Sequence, residues 1–476
     1  MANLSESALN IIATADKDRE QGCWQKALDK YKTIREEVIN SALINHNMGL
    51  CYFGLGELLP AIKACSEALL INPQLWQANI VIAKAHRLLG NFYEAEKYFQ
   101  KVVLVEPENG EALLGLADLI MNEFGDPIQA KAIVSPLRLN SSYASDASLT
   151  WLMASLYDRD ETALSLTQSV IEFSQNFLQL KNIQLLNGDK NKNPRNNRRP
   201  RIGLISPLFC ASAVFFLTIN FYRRLADKYD LVIFNRGIKN DWATEEFRKI
   251  ASSWHNIFNM NAIDIANTIQ QEDIDILYDL GGWMDPIGLQ ALSLKPARKQ
   301  YKWVGGQSVT TGLNCFDGWI GDSWQSPSYL KKLYTEPLIN VGNDYAEYCP
   351  PIYLPKPAVR KINKYAIFSN PAKVSRAFLK ALANIPGKKC FIHRQYQHQI
   401  VRDRIELYLK SQEVEYICPQ THQEALMTVN RYAVILDTFP YSSGLTAREV
   451  LAMGSDIRVL SVGDLFCERH TAKYFG

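Results

Sequence analysis

The chain has 476 residues, of which 47% are hydrophobic and 21% charged. This composition is typical of soluble globular proteins, and the length is sufficient for two or three domains with full-sized cores. Lys and Arg number 52 against 49 Asp and Glu, giving a formal net charge of +3. That balance excludes a strongly basic surface, so neither nucleic acid nor an acidic membrane is expected as the main partner.

The cysteines and the N-terminal sequence indicate the compartment. None of the nine cysteines forms a CxxC pair, and several lie in apolar helical or strand patterns, which is typical of reduced, buried thiols. The N-terminus lacks a basic region followed by an apolar core, so no secretory signal is visible. The most apolar stretch, residues 208–222, is too short to span a bilayer. We therefore expect a cytoplasmic protein without a membrane span.

The N-terminal third repeats with a period of 34 residues. Four registers share that spacing: the glycines, the alanines, a set of aromatic or small apolar residues, and the prolines. The matched positions are Gly22, Gly56 and Gly90; Ala27, Ala61 and Ala95; Tyr31, Cys65 and Phe99; and Pro73 and Pro107. Each unit is predicted to be a helix, a turn at the glycine, a second helix and a break at the proline.

This period, together with Gly49 and Tyr52, resembles the tetratricopeptide repeat. The resemblance implies an α-helical solenoid in residues 1–142, whose groove holds a protein or peptide. Residues 143–199 are interpreted as a helical cap followed by a basic linker. The basic run, residues 191–201, is either a solvated linker or a binding patch.

Beyond the linker, strand-like runs alternate with helical stretches. This alternation predicts parallel sheets covered by helices, with a first α/β lobe in residues 200–361 and a second in 362–476. Ligands of such sheets lie beyond the carboxyl ends of the strands. The predicted strands are RIGLIS, DLVIFN and IDILYDL in the first lobe, and YAIFS, KCFIH, VEYI, YAVILD and IRVLS in the second. The predicted helices of the second lobe are residues 374–385, 399–410, 423–431 and 446–453.

One stretch, LDTFPYSSGLTAREVLAMG at residues 436–454, joins a buried strand to a helix through a turn rich in small residues. Backbone N–H groups at such a junction can approach a ligand closely, and the helix dipole favours a phosphate there. A capping box is the alternative: Thr446 would cap the helix and Glu449 would bond back to it, with no ligand needed. These residues alone leave both interpretations open.

The repeats, the two lobes and this stretch together resemble the O-GlcNAc transferase and SPINDLY family of glycosyltransferases. The corresponding family segment is approximately LDTFPYNGGTTTCDALWMG, which aligns without gaps. The resemblance implies a GT-B-like body of two Rossmann-like domains, with Glu449 hydrogen-bonding the ribose of a nucleotide-sugar. The donor diphosphate would be held by the Thr446 hydroxyl and by the segment Ser443, Gly444, Leu445, Thr446 and Ala447.

Two further second-lobe motifs carry the resemblance. FSNPAKVS at residues 368–375 resembles the family's FxNxxKI, which implies Asn370 at the nucleotide and the Lys373 ammonium at the leaving diphosphate. A solvated lysine is the alternative, although a cation at a helix N-terminus is unfavourable unless an anion lies between. ICPQTHQEA at residues 417–425 resembles the loop that holds uracil, which implies base contacts from Thr421 and His422.

The first lobe matches the family with departures. RIGLISPLFCAS, DILYDLGGW and YKWVGGQSVTTGL resemble family motifs that place Gly282, Trp283, Thr310 and Thr311 in the sugar and acceptor pocket. Two histidines of the family are replaced, one by Ser212 and one by Trp283. Ser212 would orient the acceptor but is too weak a base, and Trp283 would narrow and dry the sugar pocket. In a loosely matched C-terminal segment, Arg469 or His470 either faces the phosphates or ends an ordinary amphipathic helix.

The leading hypothesis is an inverting glycosyltransferase that moves a sugar from a UDP-linked donor to a protein acceptor held by the repeat groove. No cofactor and no metal are expected, since a lysine and a helix N-terminus can stabilise the leaving group. Asp273-Ile-Asp275 forms a DxD pattern, but at the wrong end of a strand, and is interpreted as chance. The rival is a non-catalytic repeat scaffold or an acceptor-recognition subunit, and both homo- and hetero-oligomers are compatible with the sequence. Nucleic-acid binding is not supported, because the sequence shows no basic face.

Overall fold

The computed structural model describes residues 5–34, 41–139, 142–181, 183, 198–410 and 412–475. These residues divide into two compact units, one within residues 1–151 and one within residues 152–476. Most of the basic run predicted as a linker, residues 191–197, lies outside the described residues.

The first unit consists of helix pairs. Its described helices are Glu6–Glu20, Trp24–Thr33, Ala42–Gly54, Leu58–Ile71, Trp76–Leu88, Phe92–Val105, Gly110–Asn122 and Pro127–Val134. The glycines of the 34-residue period, Gly22, Gly56 and Gly90, have φ values of 73°, 77° and 78° and form the turns within each pair. The alanines five residues later are fully buried, which allows the paired helices to approach closely. The predicted solenoid is confirmed.

The second unit contains two parallel sheets. The first sheet has the strand order β3-β2-β1-β4-β5-β6-β7. Its core packs Leu204 of β1 and Ile233 of β2 against Val214 and Phe215 of a covering helix. The strands are β1 (Arg201–Ser206), β2 (Asp230–Asn235), β3 (Ser253–Asn256), β4 (Ile276–Asp279), β5 (Lys299–Lys302), β6 (Gly318–Gly321) and β7 (Leu338–Asn340). The helices of this region are Ala144–Ser155, Ala163–Phe173, Ala213–Ala226, Trp242–Ile250, Ala262–Gln271 and Pro286–Leu292.

The second sheet repeats this topology with five parallel strands, in the order β10-β9-β8-β11-β12. The strands are β8 (Ile362–Ile367), β9 (Lys389–Ile392), β10 (Val414–Ile417), β11 (Tyr432–Leu436) and β12 (Asp456–Arg458). The covering helices are Arg376–Ala383, Gln399–Leu409, His422–Val429 and Leu445–Ala452. The predicted two-lobed α/β body is thus confirmed.

In both sheets the first strand of the lobe lies inside the sheet. β1 pairs with β2 and β4, and β8 pairs with β9 and β11. The chain therefore leaves neighbouring strands toward opposite sides, which opens a crevice at their carboxyl ends. In the second lobe this crevice lies between the ends of β8 and β11, the two strands that precede the predicted donor motifs.

Four strands of the first lobe, β3, β5, β6 and β7, were not predicted. Their sequences, SWHN, KQYK, GWIG and LIN, are only three or four residues long and carry glycine or polar residues. Strands of this length give too little alternation to be recognised from the sequence, because tertiary packing decides them.

We predict that Gly56→Ala lowers the free energy of unfolding of the repeat unit by about 1 to 2 kcal/mol, because a Cβ disfavours a positive φ. A Cβ at this position would meet no atom within 4 Å, so the effect is conformational and not steric. The matched control is Gly56→Asn, which tolerates this backbone region and should lose about half as much. Urea denaturation of the full chain measures both, and equal losses would contradict the explanation.

Candidate functional site

A cavity of about 360 Å³ lies at the carboxyl ends of β8 and β11 in the second lobe. Its lining comes from the segment after β8, the turn after β11, and two helix N-termini. Eight residues predicted from the sequence line it: Asn370, Lys373, Thr421, His422, Ser443, Leu445, Thr446 and Glu449. The fold thus brings together three motifs that are up to 79 residues apart along the chain, from Asn370 to Glu449.

Lys373 provides the positive charge of this cavity. The Asn370 side chain accepts a hydrogen bond from the Ala372 N–H (2.8 Å) and shapes the turn that carries the lysine. The ammonium donates to the Ser442 carbonyl (3.1 Å) and lies 4.4 Å from the centre of the Tyr441 ring. Burial lowers the pKa of Lys373, and the nearby charge of Asp437 opposes that shift. Within the part of the chain that the structure describes, no carboxylate forms an ion pair with it.

The turn after β11 is held from within by Asp437. This buried carboxylate accepts hydrogen bonds from the Ser443 N–H (3.0 Å) and the Thr471 hydroxyl. Burial raises the pKa of Asp437, while these hydrogen bonds and Lys373 lower it. Ser442 is fixed separately, because its N–H and its hydroxyl both donate to the Cys467 carbonyl. The backbone that faces Lys373 is therefore positioned by two independent sets of contacts.

The helix Leu445–Ala452 begins at Leu445, with Gly444 as its N-cap and no side-chain cap. The alternative interpretation as a capping box is therefore wrong: Thr446 lies within the first turn, one residue past the helix start. Glu449 does not bond back to the cap, because its carboxylate lies 2.8 Å from His422 Nε2 instead. The N–H groups of the first helical turn have no partner within the helix, and the dipole adds a partial positive charge. Such an end favours an anion.

The predicted nucleoside end of the cavity contains a chain of hydrogen bonds. Thr421 accepts from the Glu424 N–H (3.1 Å) and caps the helix His422–Val429. His422 then joins two groups, with its Nδ1 2.9 Å from the Tyr353 hydroxyl and its Nε2 bound to Glu449. Glu449 is 2% exposed, so its orientation is fixed by this imidazole.

Comparison with known proteins finds family models for parts of the chain. Residues 166–349 match the model of Glycosyl transferase family 41, and residues 42–75 and 77–109 match a tetratricopeptide repeat model. The chain is therefore similar to glycosyl transferase family 41 over residues 166–349, a range that ends before the second lobe. It carries the repeats at its N-terminal end, as the sequence predicted.

The curated relatives that this chain matches are longer proteins. It is 27% identical over 329 residues to the protein of Solanum lycopersicum named "Probable UDP-N-acetylglucosamine--peptide N-acetylglucosaminyltransferase SPINDLY", covering 64% of this chain and 34% of the relative. The Arabidopsis thaliana protein of the same name is 28% identical over 288 residues, covering 55% and 31%. The chain thus spans about a third of the length of the curated relatives it matches.

A solved structure, a mutant O-GlcNAc transferase of Thermobaculum terrenum, shares the fold of this chain. The TM-score is 0.78 at 21% identity, with 92% of this chain and 86% of the other covered. None of the helices described for this chain has the length and apolarity to cross a membrane. No group of three metal-ligating side chains occurs among the described residues.

The first-lobe residues within the family 41 match do not line the cavity. Ser212 precedes a helix and donates its hydroxyl to the Leu208 carbonyl (2.9 Å). Trp283 is 6% exposed, and its indole N–H donates to the carbonyls of residues 309 and 310, so the ring belongs to the interior. That this ring narrows and dries the sugar pocket stays a prediction.

The neighbouring predicted residues are also engaged within the first lobe. Gly282 has a φ of 49°, and a Cβ there would lie 2.7 Å from the Gly306 carbonyl oxygen, so only glycine fits. Thr310 and Thr311 are fully buried and donate their hydroxyls to Glu336. These contacts shape the loop between β5 and β6. The roles of Gly282, Trp283, Thr310 and Thr311 in the sugar and acceptor pocket stay predictions.

Sequence reasoning missed a segment that supports the cavity from behind. The Tyr157 ring stacks on Tyr441 with centres 4.8 Å apart, and Tyr441 lies under the Lys373 ammonium. Asp158 accepts from the Arg376 backbone N–H (2.8 Å) and from its guanidinium. Arg159 pairs with the buried Glu468. No short motif marks these residues, because each partner lies more than 200 positions away.

We predict that Asp158→Asn lowers the free energy of unfolding by about 2 kcal/mol, since a charge-assisted network at a buried carboxylate is lost. The control is Asp160→Asn, which removes a contact to the same guanidinium from a side chain that is 88% exposed. That change should cost less than about 0.5 kcal/mol. Urea denaturation of the full chain compares the two, and similar losses would show that burial does not set the strength of the contact.

Proposed function

We propose that this chain transfers a sugar from a nucleotide-sugar to a protein acceptor, with inversion at the anomeric carbon and without a metal. The observation that carries the proposal is the convergence at one cavity of the Lys373 ammonium and the uncapped N-terminus of the helix Leu445–Ala452. The match of residues 166–349 to glycosyl transferase family 41 supports glycosyl transfer as the reaction class. A UDP-linked donor is proposed because the relatives' names specify one.

In this proposal the second lobe stabilises the leaving group. As the bond between the anomeric carbon and the phosphate oxygen breaks, its electron pair stays on the diphosphate, where negative charge grows. Lys373 and the N–H groups at Leu445 to Ala447 lie where they would meet that charge, and the Thr446 hydroxyl adds a donor. Groups oriented before the reaction need not reorganise during it, which is why such sites accelerate departure.

The nucleoside would be held by the opposite end of the cavity. One carboxylate oxygen of Glu449 is hydrogen-bonded to His422 Nε2, which leaves the other oxygen to accept a hydrogen bond from a ribose hydroxyl. His422 is itself held by a hydrogen bond to Tyr353, so the imidazole that orients the carboxylate is fixed in turn. Binding energy from this remote end would serve to place the anomeric carbon for attack.

The repeat unit is proposed to bind the acceptor polypeptide. A cavity of about 520 Å³ lies within this unit, with Phe53, Phe99 and Tyr143 among its lining residues. Lys84 pairs with Glu111 across neighbouring repeats, and Arg87 pairs with Asp118 in the same way. Apolar groups beside paired charges suit a peptide that presents both apolar and polar side chains.

A non-catalytic role is the second candidate, and one observation favours it. The family that the sequence resembles has a histidine at two first-lobe positions. In this chain one position is a serine whose hydroxyl donates to a backbone carbonyl, and the other is a tryptophan in the interior. A scaffold with a degenerate body would bind acceptors without transferring a sugar.

Calorimetry and mass spectrometry separate these candidates. The full chain is titrated with UDP and GDP, and lysate proteins are then incubated with the chain and a panel of nucleotide-sugars before intact-mass analysis. Binding at up to millimolar nucleotide, with a mass gain of one sugar, is expected. Absence of nucleotide binding would overturn the proposal, and binding without a mass gain would favour the scaffold.

We predict that Lys373→Ala lowers turnover by about 100- to 1,000-fold while nucleotide affinity falls much less, because charge on the diphosphate grows in the transition state. The control is Lys380→Ala, which removes an exposed lysine from the neighbouring helix and should leave both quantities unchanged. Steady-state kinetics and calorimetry measure the two effects. Equal losses of turnover and affinity for Lys373→Ala would assign this lysine to ground-state binding only.

A further inference from the structure

His470 lies beside the proposed diphosphate position without being part of the motif that predicted it. It comes shortly after the short helix Phe466–Glu468, and its backbone N–H donates to the Ser442 hydroxyl (3.0 Å). Ser442 also supplies the carbonyl that accepts from Lys373. One residue of the turn therefore holds both the lysine and the backbone of this histidine.

One ring nitrogen of His470 is hydrogen-bonded and the other is not. Nδ1 lies 2.9 Å from Gln325 Oε1, a first-lobe side chain that is 4% exposed. With that oxygen as acceptor, the neutral ring carries its proton on Nδ1 and a lone pair on Nε2. No hydrogen-bond partner for Nε2 occurs among the residues that the structure describes.

The unbonded edge of the ring faces the start of the helix Leu445–Ala452. A Cβ built on Gly444 would lie 3.7 Å from His470 Cδ2 and 4.0 Å from Nε2. Gly444 is the N-cap of that helix, so the edge is next to the N–H groups proposed to bind the diphosphate. Any anion at this end would lie close to Nε2.

Two cations on other elements influence the ring. Burial, Lys373 and Arg448 together lower the pKa of His470 to about 3, burial being the largest cause. Arg448 is itself paired with Asp344, so Lys373 is the cation without a carboxylate partner among the described residues. The imidazole is consequently neutral near neutral pH.

The other titratable groups on the elements packed around His470 are engaged or uncharged. The Asp437 carboxylate accepts from Thr471, and Glu468 pairs with Arg159. The Arg469 guanidinium donates to the carbonyls of residues 324 and 463. Burial raises the pKa values of the Tyr441 phenol and the Cys467 thiol, so both groups stay protonated.

We propose that His470 binds a proton as the donor diphosphate enters the cavity, and that the Nε2–H so formed donates a hydrogen bond to a phosphate oxygen. This inference rests on the proposed function. The proton comes from solvent, and no bond of the ligand is broken. A lone pair on Nε2 would repel the phosphate oxygens, whereas an imidazolium attracts them and Gln325 Oε1 still accepts from Nδ1.

The bound anion reverses the electrostatics that keep the free ring neutral. A diphosphate lies between the imidazole and the Lys373 ammonium, so the repulsion between the two cations is replaced by attraction of each to the anion. Since the complex favours the protonated ring, affinity should fall as the pH rises, by up to about tenfold per pH unit until the pKa of the bound ring is passed. The diphosphate of a nucleotide-sugar is a diester and stays fully ionised over this range.

Calorimetry tests the inference directly. The full chain is titrated with UDP- and GDP-sugars from about pH 6 to about pH 8, in buffers that differ in ionisation enthalpy. The enthalpy measured for the natural chain should depend on the buffer with a slope of about one proton taken up per ligand. In His470→Gln, which keeps an N–H donor but cannot titrate, both the proton uptake and the pH dependence should disappear.

His393→Gln is the matched control. His393 is itself a lining residue of the cavity, and burial lowers its pKa to about 4. It follows β9 and so belongs to a different element from Gly444 and His470. This variant should keep the proton uptake. Thermal unfolding of each variant verifies that it is folded.

Each outcome decides between specific claims. Binding by the natural chain with no buffer dependence, or proton uptake that persists in His470→Gln, would overturn the inference and leave the proposed function intact. Loss of affinity in His470→Leu without proton uptake in the natural chain would indicate a neutral Nε2–H tautomer, which also overturns it. Failure of the natural chain to bind any nucleotide-sugar would instead overturn the proposed function.

Discussion

The Lys373 ammonium enters a half-enclosed cavity where no carboxylate of the described residues forms an ion pair with it. A cation removed from water is costly unless other groups replace the lost hydration, and here a carbonyl and an aromatic face do so only in part. Both groups belong to the turn after β11. The position of the charge therefore depends on that turn, and the turn depends on a buried carboxylate, Asp437, and on the Tyr157 ring behind Tyr441.

Sheet topology explains why the charge and the helix N-terminus meet. β8 and β11 are neighbours in the sheet, although they are separated by about 65 residues along the chain. Their carboxyl ends open onto one crevice, so the segments that leave β8 and β11 must converge there. The first lobe repeats this topology at β1 and β4. Beyond the carboxyl end of β4, the buried Trp283 ring donates its indole N–H to carbonyls of the loop between β5 and β6. The same architecture thus gives an open crevice in one lobe and a packed interior in the other.

Much of the fold and part of the candidate site could be predicted from the sequence. The glycine period was informative because a positive φ is needed once per repeat, and Gly22, Gly56 and Gly90 all adopt it. The cavity residues of the second lobe could be found because each lies in a segment or helix that directly follows a strand. The capping-box interpretation was wrong for a physical reason. The spacing of Thr446 and Glu449 matches the pattern, but the N-cap of the helix is Gly444 and the Glu449 carboxylate binds His422. The contacts of Asp158 with Arg376 carry no local signal and required the folded chain.

The surroundings of the cavity are not formed by the second lobe alone. The Cys467 N–H donates to the Ser308 carbonyl, and the Phe466 ring packs against the Trp319 ring of β6. The same first-lobe residue, Ser308, bonds the Tyr441 hydroxyl, while Gln325 orients the imidazole of His470. These contacts place first-lobe groups behind or beside every element that faces the proposed diphosphate. A relative movement of the lobes would consequently alter the aromatic support of the lysine and the hydrogen bond of the histidine together. The electrostatics around Lys373 and His470 are thereby linked to the position of the first lobe.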